Sequence, residues 1–195
     1  MAIDDKGYIL AIGRLVKLKG FDDLIEAYAD SGIERELWFL GDGPELNNLK
    51  TIVKQRGVEH KVRFLGFIKN PYPYMKNAHC FALTSHFEGF PNAMVESMSL
   101  GVPSMATLTD GPIDILKPKG SVNTGTYQLT EYGIVFNAGD KAAISRSLID
   151  LDVKKDLYST LSHAASERAK FYTEDKFYSS FSKILQDRVL SNQHV

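Results

Sequence analysis

The sequence has very little cysteine: Cys80 is the only one in 195 residues. A disulfide within the chain is therefore excluded, and a reducing compartment such as the cytoplasm is favoured. Cys80 begins an apolar run over residues 80–84, which is typical of a buried small side chain rather than a reactive thiol. No apolar run approaches the roughly 20 residues of a membrane-spanning helix. Residues 1–7 show no signal-peptide pattern, so we expect a cytoplasmic protein.

An excess of charge of one sign is also missing, since the net charge is only −1. Such a balance creates no general field for nucleic acid or acidic lipid, and we expect no nucleic-acid partner. The sequence has no Walker A motif and no Gly-x-Ser-x-Gly nucleophile elbow. Its five histidines do not have metal-ligand spacing. Gly41-Asp42-Gly43 begins like a dinucleotide fingerprint, but position 46 is leucine, which argues against NAD. We expect neither a metal nor a cofactor.

What the chain does contain is a regular alternation of short apolar strands and amphipathic helices. The predicted strands cover residues 8–13, 37–41, 62–66, 81–84, 102–106 and 134–136. The predicted helices cover residues 21–30, 45–56, 72–77, 92–100, 141–151, 155–170 and 174–190. Continuous apolar strands joined by short links predict an α/β fold with a parallel sheet and helices on both faces. The long polar stretch 117–130 is predicted to be a surface loop. No linker divides the chain, so we expect a single domain over residues 1–195, with C-terminal helices at 155–190.

Several glycines follow the predicted strands directly. Gly13, Gly41 and Gly66 each come at the end of one strand, and the loop around Glu88 follows another. Ligands of parallel α/β sheets bind beyond the carboxyl ends of the strands. The sequence therefore predicts a ligand site formed by these loops.

Residues 88–96 (Glu-Gly-Phe-Pro-Asn-Ala-Met-Val-Glu) form the most informative segment. Pro91 suits the first turn of a helix, and we expect the amides of residues 92–94 to be free to meet an anion. Glu88 and Glu96 would flank that anion as hydroxyl-binding carboxylates, an arrangement that suits a sugar nucleotide. The alternative is that both are surface acids near the start of a helix.

Two cations, Arg14 and Lys19, bracket the loop between the first strand and the first helix. Arginine can hold phosphate oxygens in two-point geometry, and lysine supplies a compact charge. The alternative is that both are solvated surface side chains.

In their order along the chain, these motifs resemble the retaining GT-B glycosyltransferases of the group 1 (family 4) type. The motifs are Gly-Arg-Leu at 13–15, Lys-Gly-Phe-Asp-Asp-Leu-Ile-Glu-Ala at 19–27, Leu-Gly-Asp-Gly-Pro-Glu at 40–45, Val-Arg-Phe-Leu-Gly-Phe at 62–67, Ser-His-Phe-Glu-Gly-Phe-Pro-Asn at 85–92 and Gly-Val-Pro at 101–103. The resemblance is strong over residues 8–117 and weak beyond them. It implies that this chain is the C-terminal, donor-binding, Rossmann-like lobe of a two-lobed enzyme.

The resemblance also implies roles for individual residues. Arg14 and Lys19 would hold the donor diphosphate, Glu96 would bind the ribose hydroxyls, and Glu88 would contact the transferred sugar. The full set of implied donor-binding residues is Gly13, Arg14, Lys19, Gly66, Phe67, Ile68, Glu88, Gly89, Phe90, Pro91, Asn92, Ala93, Met94 and Glu96. Residues 66–68 would lie near the base. The implied catalytic residues are Glu88, Lys19 and Arg14. The cations would stabilise the departing diphosphate without a metal, and Glu88 is assigned positioning rather than attack.

The chain departs from the family pattern in three places. Ser97 stands where alanine is usual, Asp114 replaces the glutamate of a Gly-x-x-Glu-Ile turn, and the loop at 121–132 is longer than normal. An N-terminal acceptor lobe is missing, so we expect either a fragment or a partner lobe in a separate chain. The start of the chain close to its first strand favours a fragment. Alone, it is expected to be inactive.

The expected partners are a nucleotide-sugar donor, with UDP or GDP as its nucleotide, and the acceptor lobe. Acceptors could be glycans in polysaccharide biosynthesis, lipid-linked glycans or small molecules, and the full enzyme could associate peripherally with the inner face of the membrane. The alternative function is a non-catalytic nucleotide or sugar-phosphate binding module, or a lobe of a GT-B relative such as an epimerase or phosphorylase. The predicted last helix has one apolar face, which could pack on this lobe or reach the other. That face contains Phe177, Tyr178, Phe181, Ile184, Leu185 and Val189.

Overall fold

The computed structural model describes residues 7–173 and 175–176. Its strands are β1 (Tyr8–Ile12), β2 (Glu36–Leu40), β3 (Val62–Phe64), β4 (Ala78–Leu83), β5 (Ser104–Thr107), β6 (Gln128–Leu129) and β7 (Ile134–Phe136). Its helices are α1 (Phe21–Ser31), α2 (Leu46–Gln55), α3 (Tyr72–Asn77), α4 (Asn92–Ser99), α5 (Asp110–Leu116), α6 (Lys141–Val153) and α7 (Lys155–Ala169), with a 3-10 turn at Lys17–Lys19. The predicted helix at 174–190 and its apolar face lie almost wholly outside the described residues.

The described strands form one sheet in the order β3-β2-β1-β4-β5-β7-β6. Every neighbouring pair is parallel except β6 and β7. The strand order runs outward from β1 to β2 and β3, and then resumes on the other side of β1 with β4. The loops after β1 and β4 therefore diverge at a topological switch point, where sheets of this kind bind ligands.

Helices cover both faces of the sheet, as the alternating pattern predicts. Along β1, Ile9 and Ala11 face a core formed with α1, α2 and α6, whereas Tyr8 and Leu10 face a core formed with α3, α4 and α5. All four side chains are buried, because a strand in the middle of a parallel sheet has no solvent-facing side. The Rossmann-like α/β expectation is thus confirmed.

The structure adds one helix that the sequence analysis did not predict. Helix α5 contains Gly111 and Pro112, a dipeptide typical of turns. Proline is nevertheless tolerated in the first turn of a helix, where its missing N–H is not needed. The Gly-Pro pair therefore lies within the start of the helix rather than breaking it.

The stretch 117–130, predicted to be a surface loop, contains strand β6 and is tied to the body of the protein. The Asn137 side chain donates to the Val122 carbonyl over 2.9 Å, and the Gly125 amide donates to Asp140 over 2.6 Å. Strand β6 then pairs antiparallel with β7. A two-residue strand is too short to leave an alternating pattern in the sequence.

In the part of the chain that the structure describes, no helix is both long enough and apolar enough to cross a lipid bilayer.

Candidate functional site

The loops that follow β1 and β2 pack against each other at the carboxyl edge of the sheet. The Gly13 amide donates to the Leu40 carbonyl over 3.0 Å, and the Leu15 amide donates to the Asp42 carbonyl over 2.9 Å. Gly41 has a φ of +135°, and a Cβ built on it would lie 2.0 Å from the Gly13 carbonyl oxygen. Only glycine fits this close approach of two backbones.

A cleft of about 620 Å³ opens beside these loops. It is lined by Ile12, Gly13, Arg14, Leu40, Gly41, Asp42, Phe67, Ile68, Lys69 and Pro71. The structure therefore brings Arg14 and the predicted base-binding residues Phe67 and Ile68 to one cavity. Phe67 is 80% exposed, so its ring is available to a ligand. Gly66 is close by, and its carbonyl accepts a hydrogen bond from the Gly41 amide.

The loop after β4 docks onto the turn that precedes α1. The Thr84 hydroxyl, near the end of β4, donates to the carbonyls of Lys19 and Gly20 at 3.1 and 2.9 Å. The His86 amide donates to the Leu18 carbonyl over 2.8 Å. Gly20 has a φ of +60°, and a Cβ there would lie 2.2 Å from the Thr84 carbonyl oxygen. These contacts hold two segments that are distant in sequence side by side.

This docking places Lys19 against Glu88. The Lys19 Nζ lies 2.6 Å from Glu88 Oε2, and the Ser85 hydroxyl donates to the same oxygen over 3.2 Å. Both charged side chains are largely shielded from solvent. Arg14, in contrast, is exposed, and its guanidinium makes no hydrogen bond or ion pair with the residues that the structure describes. The two predicted diphosphate-binding cations thus differ. Lys19 forms an ion pair with Glu88, whereas Arg14 is uncommitted, meaning that its guanidinium has no partner among the described residues.

A second group of charges lies next to this pair. His86 Nε2 lies 3.2 Å from Asp23, and Lys141 Nζ lies 2.7 Å from Glu26 and 3.7 Å from Asp23. Burial raises the pKa of the Asp23 carboxyl, and the neighbouring Asp22 acts in the same direction. Asp22, Asp23 and His86 could each offer one ligand atom to a metal within 4.8 Å of one another. Lys141 already neutralises part of this charge, so the arrangement is that of an ion-pair cluster.

The segment 88–96 turns into α4 as predicted, but its amides are less available than expected. The Asn92 amide donates to the Phe90 carbonyl and the Met94 amide to the Pro91 carbonyl, at 3.1 and 3.0 Å. Of the three amides at 92–94, only that of Ala93 has no acceptor among the described residues. The expectation of three free amides is therefore wrong for two of them, because the chain enters the helix through a tight turn.

The two glutamates occupy different positions around this turn. Glu96 lies on α4, is half-buried, and its carboxylate has no hydrogen-bond partner in the described chain. Glu88 lies in the loop before α4, and helix α5 holds its backbone: the Gly111 amide donates to the Glu88 carbonyl over 3.2 Å. A Cβ on Gly111 would lie only 1.6 Å from the Gly89 carbonyl oxygen, so α5 and the loop are in direct backbone contact.

The arrangement combines an open cleft, an uncommitted arginine and a lysine–glutamate pair at the carboxyl edge of a parallel sheet. The family model described as "Glycosyl transferases group 1" matches residues 2–168. The chain belongs to this family.

Curated relatives agree with this membership. The chain is 40% identical over 107 residues to the N-acetylgalactosamine-N,N'-diacetylbacillosaminyl-diphospho-undecaprenol 4-alpha-N-acetylgalactosaminyltransferase of Campylobacter jejuni, covering 55% of this chain and 29% of the relative. It is 29% identical over 164 residues to the lipopolysaccharide core biosynthesis glycosyltransferase LpsE of Rhizobium meliloti, covering 84% of this chain and 44% of the relative. The chain therefore spans less than half the length of these two relatives.

Solved structures share the fold. The Anabaena HepE complex with UDP and glucose superposes with a TM-score of 0.78 at 21% identity, covering 93% of this chain and 49% of HepE. The sucrose-phosphate synthase of Thermosynechococcus elongatus superposes with a TM-score of 0.79 at 20% identity, covering 96% of this chain and 47% of that enzyme. In both cases the described fold corresponds to about half of a larger protein.

Proposed function

We propose that this chain is the donor-binding half of a retaining glycosyltransferase that uses a nucleoside-diphosphate sugar. The observation that carries the proposal is the Lys19–Glu88 pair next to the cleft that contains Arg14, in a chain of the group 1 family. A Cβ built on Gly13, which lines the cleft, would lie 3.4 Å from the Lys19 side chain. A diphosphate needs an uncommitted cation, and a sugar needs a carboxylate that can accept hydrogen bonds from its hydroxyls. Both are present on neighbouring loops.

Within this proposal the cleft holds the nucleotide. The exposed ring of Phe67 and the adjoining Ile68 are apolar surfaces suited to a base, and Gly13 allows the diphosphate to approach the backbone. Arg14 holds the phosphates, and Glu96 accepts hydrogen bonds from the ribose. The turn at 89–94 lies against the sugar. We propose UDP as the nucleotide, because HepE was solved with UDP and glucose.

The proposed chemistry is stabilisation of the leaving group. As the glycosidic bond to the diphosphate breaks, negative charge builds up on the β-phosphate. Arg14 lowers the energy of that charge most directly, because no described carboxylate competes for its guanidinium. Lys19 adds a second positive charge, which lies closer to the proposed sugar position than Arg14 does. Fixed positive charges placed next to the developing negative charge are an effective source of such stabilisation.

The acceptor is proposed to be bound by another lobe, since the chain spans 29% and 44% of the two relatives described above. The name of the Campylobacter relative includes a diphospho-undecaprenol acceptor. This supports a lipid-linked glycan as one acceptor class, together with peripheral contact between the complete enzyme and the inner face of the membrane. Glycan and small-molecule acceptors remain alternatives within the same proposal.

Calorimetric titration of the chain with UDP, GDP and ADP, and then with the matching monophosphates, tests the proposal. Tighter binding of one diphosphate than of its monophosphate is expected, and the preferred compound identifies the base. Equal binding of the diphosphate and the monophosphate would favour a nucleotide-binding module without a diphosphate site. Absence of binding both here and in the full-length protein would contradict the donor site.

A further inference from the structure

Ser85 is a buried residue next to the proposed donor site, and its only signal in the sequence is its place in the Ser-His-Phe-Glu motif. It follows β4 directly and is fully buried, with 0% of its surface exposed. Its hydroxyl donates to Glu88 Oε2 over 3.2 Å. A buried hydroxyl normally finds a hydrogen-bond partner, and here that partner is a charged side chain of the site.

The backbone around Ser85 is fixed on both sides. The Thr107 hydroxyl, at the end of β5, donates to the Ser85 carbonyl over 2.7 Å. Thr84 and His86, the two flanking residues, are bonded to the turn before α1. Ser85 therefore has little freedom to move away from Glu88, and its hydroxyl is a rigid donor.

The two donors that reach Glu88 converge on one of its oxygens. Lys19 Nζ and the Ser85 hydroxyl both contact Oε2, whereas Oε1 has no partner among the described residues. A carboxylate held in this way cannot rotate without breaking both contacts. Its second oxygen is therefore presented in one fixed direction, as an acceptor for hydroxyl groups.

We propose that Ser85 is a positioning residue that aims Oε1 of Glu88 at the hydroxyls of the transferred sugar. This inference rests on the proposed function and deepens it, because it separates recognition of the sugar from recognition of the diphosphate. Ser85 and Lys19 orient Glu88 for the sugar, and the uncommitted Arg14 accounts for most of the attraction to phosphate. Ser85 acts only through Glu88 and does not itself touch the donor.

The test compares each sugar nucleotide with its free diphosphate. We would measure the affinities of UDP-glucose, UDP-N-acetylglucosamine, GDP-mannose, UDP and GDP for the wild-type chain by calorimetry, and then repeat the best pair with Ser85→Ala. The expected result is a loss of about three- to tenfold for the sugar nucleotide and no change for the diphosphate, because only a hydrogen bond to the carboxylate is removed.

Ser104→Ala is the matched control. Ser104 is also fully buried, and its hydroxyl has no hydrogen-bond partner among the described residues, so this variant removes a buried hydroxyl without touching Glu88. Both affinities should stay at the wild-type values in Ser104→Ala.

A double-mutant cycle separates positioning from general structural support. In a Glu88→Ala background, Ser85→Ala should lower the affinity for the sugar nucleotide by less than about a further twofold, because the side chain that Ser85 orients is already gone. Full additivity, or a loss for the diphosphate equal to that for the sugar nucleotide, would overturn the role of Ser85. If no compound of the set binds either to the wild-type chain or to the full-length protein, the proposed function itself is contradicted, and the inference with it.

Discussion

Arg14 and Lys19 carry the same charge, but they differ in whether a carboxylate already neutralises that charge. The Lys19 ammonium is 2.6 Å from a carboxylate, whereas the Arg14 guanidinium has no described partner and lines the cleft. A cation that already has a counter-ion offers less attraction to an incoming anion. Arg14 and Lys19, both proposed to bind the diphosphate, are thus predicted to contribute unequally to phosphate binding.

Arg14→Ala should therefore weaken binding of UDP by about 1.5–3 kcal/mol, the usual range for a hydrogen bond to a charged group. Binding of uridine should hardly change, because the nucleoside carries no phosphate. Titration calorimetry at fixed ionic strength measures both. Arg146→Ala is the control, since Arg146 is an exposed arginine that lines a different pocket. Equal losses for UDP and uridine would contradict the assignment of Arg14.

Sequence patterns predict which side chains are available at this site better than they predict how those side chains are paired. The spacing of Glu88 and Glu96 and the position of Pro91 follow from the residues alone. The Lys19–Glu88 pair joins loops 69 positions apart in the chain, so no local pattern shows it. Ser85 carries no signal except its place in the Ser-His-Phe-Glu motif, and the inward direction of its hydroxyl follows from the docking of three loops.

Among the elements, prediction succeeds where the apolar pattern is clear, even for the short α3 and β7, and it fails where turn-forming residues mask a helix. Helix α1 and strand β1 carry clear 3.6-residue and continuous apolar patterns, and both lie where expected. Strand β4 starts at Ala78, three residues before the prediction, because α3 and β4 are joined with no loop between them. Helix α5 was not predicted, because Gly111 and Pro112 are both typical of turns. Packing of α5 against the Glu88 loop outweighs this local preference.

Gly41 gives an element-scale prediction, because it lies where the β1 and β2 loops touch. Gly41→Ala should lower the free energy of unfolding by more than about 3 kcal/mol, at the upper end of ordinary single substitutions. The cause is the clash with the Gly13 carbonyl oxygen, added to an unfavourable backbone angle. Urea denaturation followed by circular dichroism measures the change.

Gly32→Ala is the matched control for this prediction. Gly32 also has a positive φ, +66°, but a Cβ there meets no atom within 4 Å. Only the backbone strain of roughly 1–2 kcal/mol should remain. If the two variants were equally stable, the contact between the two loops would not constrain the site.

At the scale of the whole molecule, the proposed donor site lies at one edge of the sheet, and the two hydrophobic cores behind it provide the stability of the fold. Exposed aromatic side chains, Phe67, Phe87 and Phe90, occur in the loops at the site edge. The buried tyrosines lie elsewhere in the fold, Tyr8 on strand β1 and Tyr28 and Tyr158 on helices α1 and α7. Changes deep in the cores should therefore alter stability without altering selectivity for the nucleotide.

Buried tyrosines make the stability of the whole fold sensitive to alkaline pH. Burial raises the pKa of Tyr8 and of Tyr158 from 10.0 to about 12. In the unfolded chain these groups ionise near pH 10, while in the folded chain they stay protonated. The stabilisation is fully present below pH 10 and is lost as the pH rises toward 12, by up to about 2–3 kcal/mol for each tyrosine.

Tyr158→Phe tests this account, because the Tyr158 hydroxyl is buried and has no hydrogen-bond partner among the described residues. At pH 7 the variant should be as stable as the wild type or slightly more stable, since an unsatisfied polar group is removed. Between pH 10 and 12 it should lose less stability than the wild type. Tyr8→Phe, which removes a hydrogen bond to the Tyr74 carbonyl, should cost about 1 kcal/mol at pH 7. Urea titrations at pH 7, 10 and 11 measure these differences, and a wild-type pH slope in Tyr158→Phe would show that this tyrosine is already ionised or hydrated in the folded state.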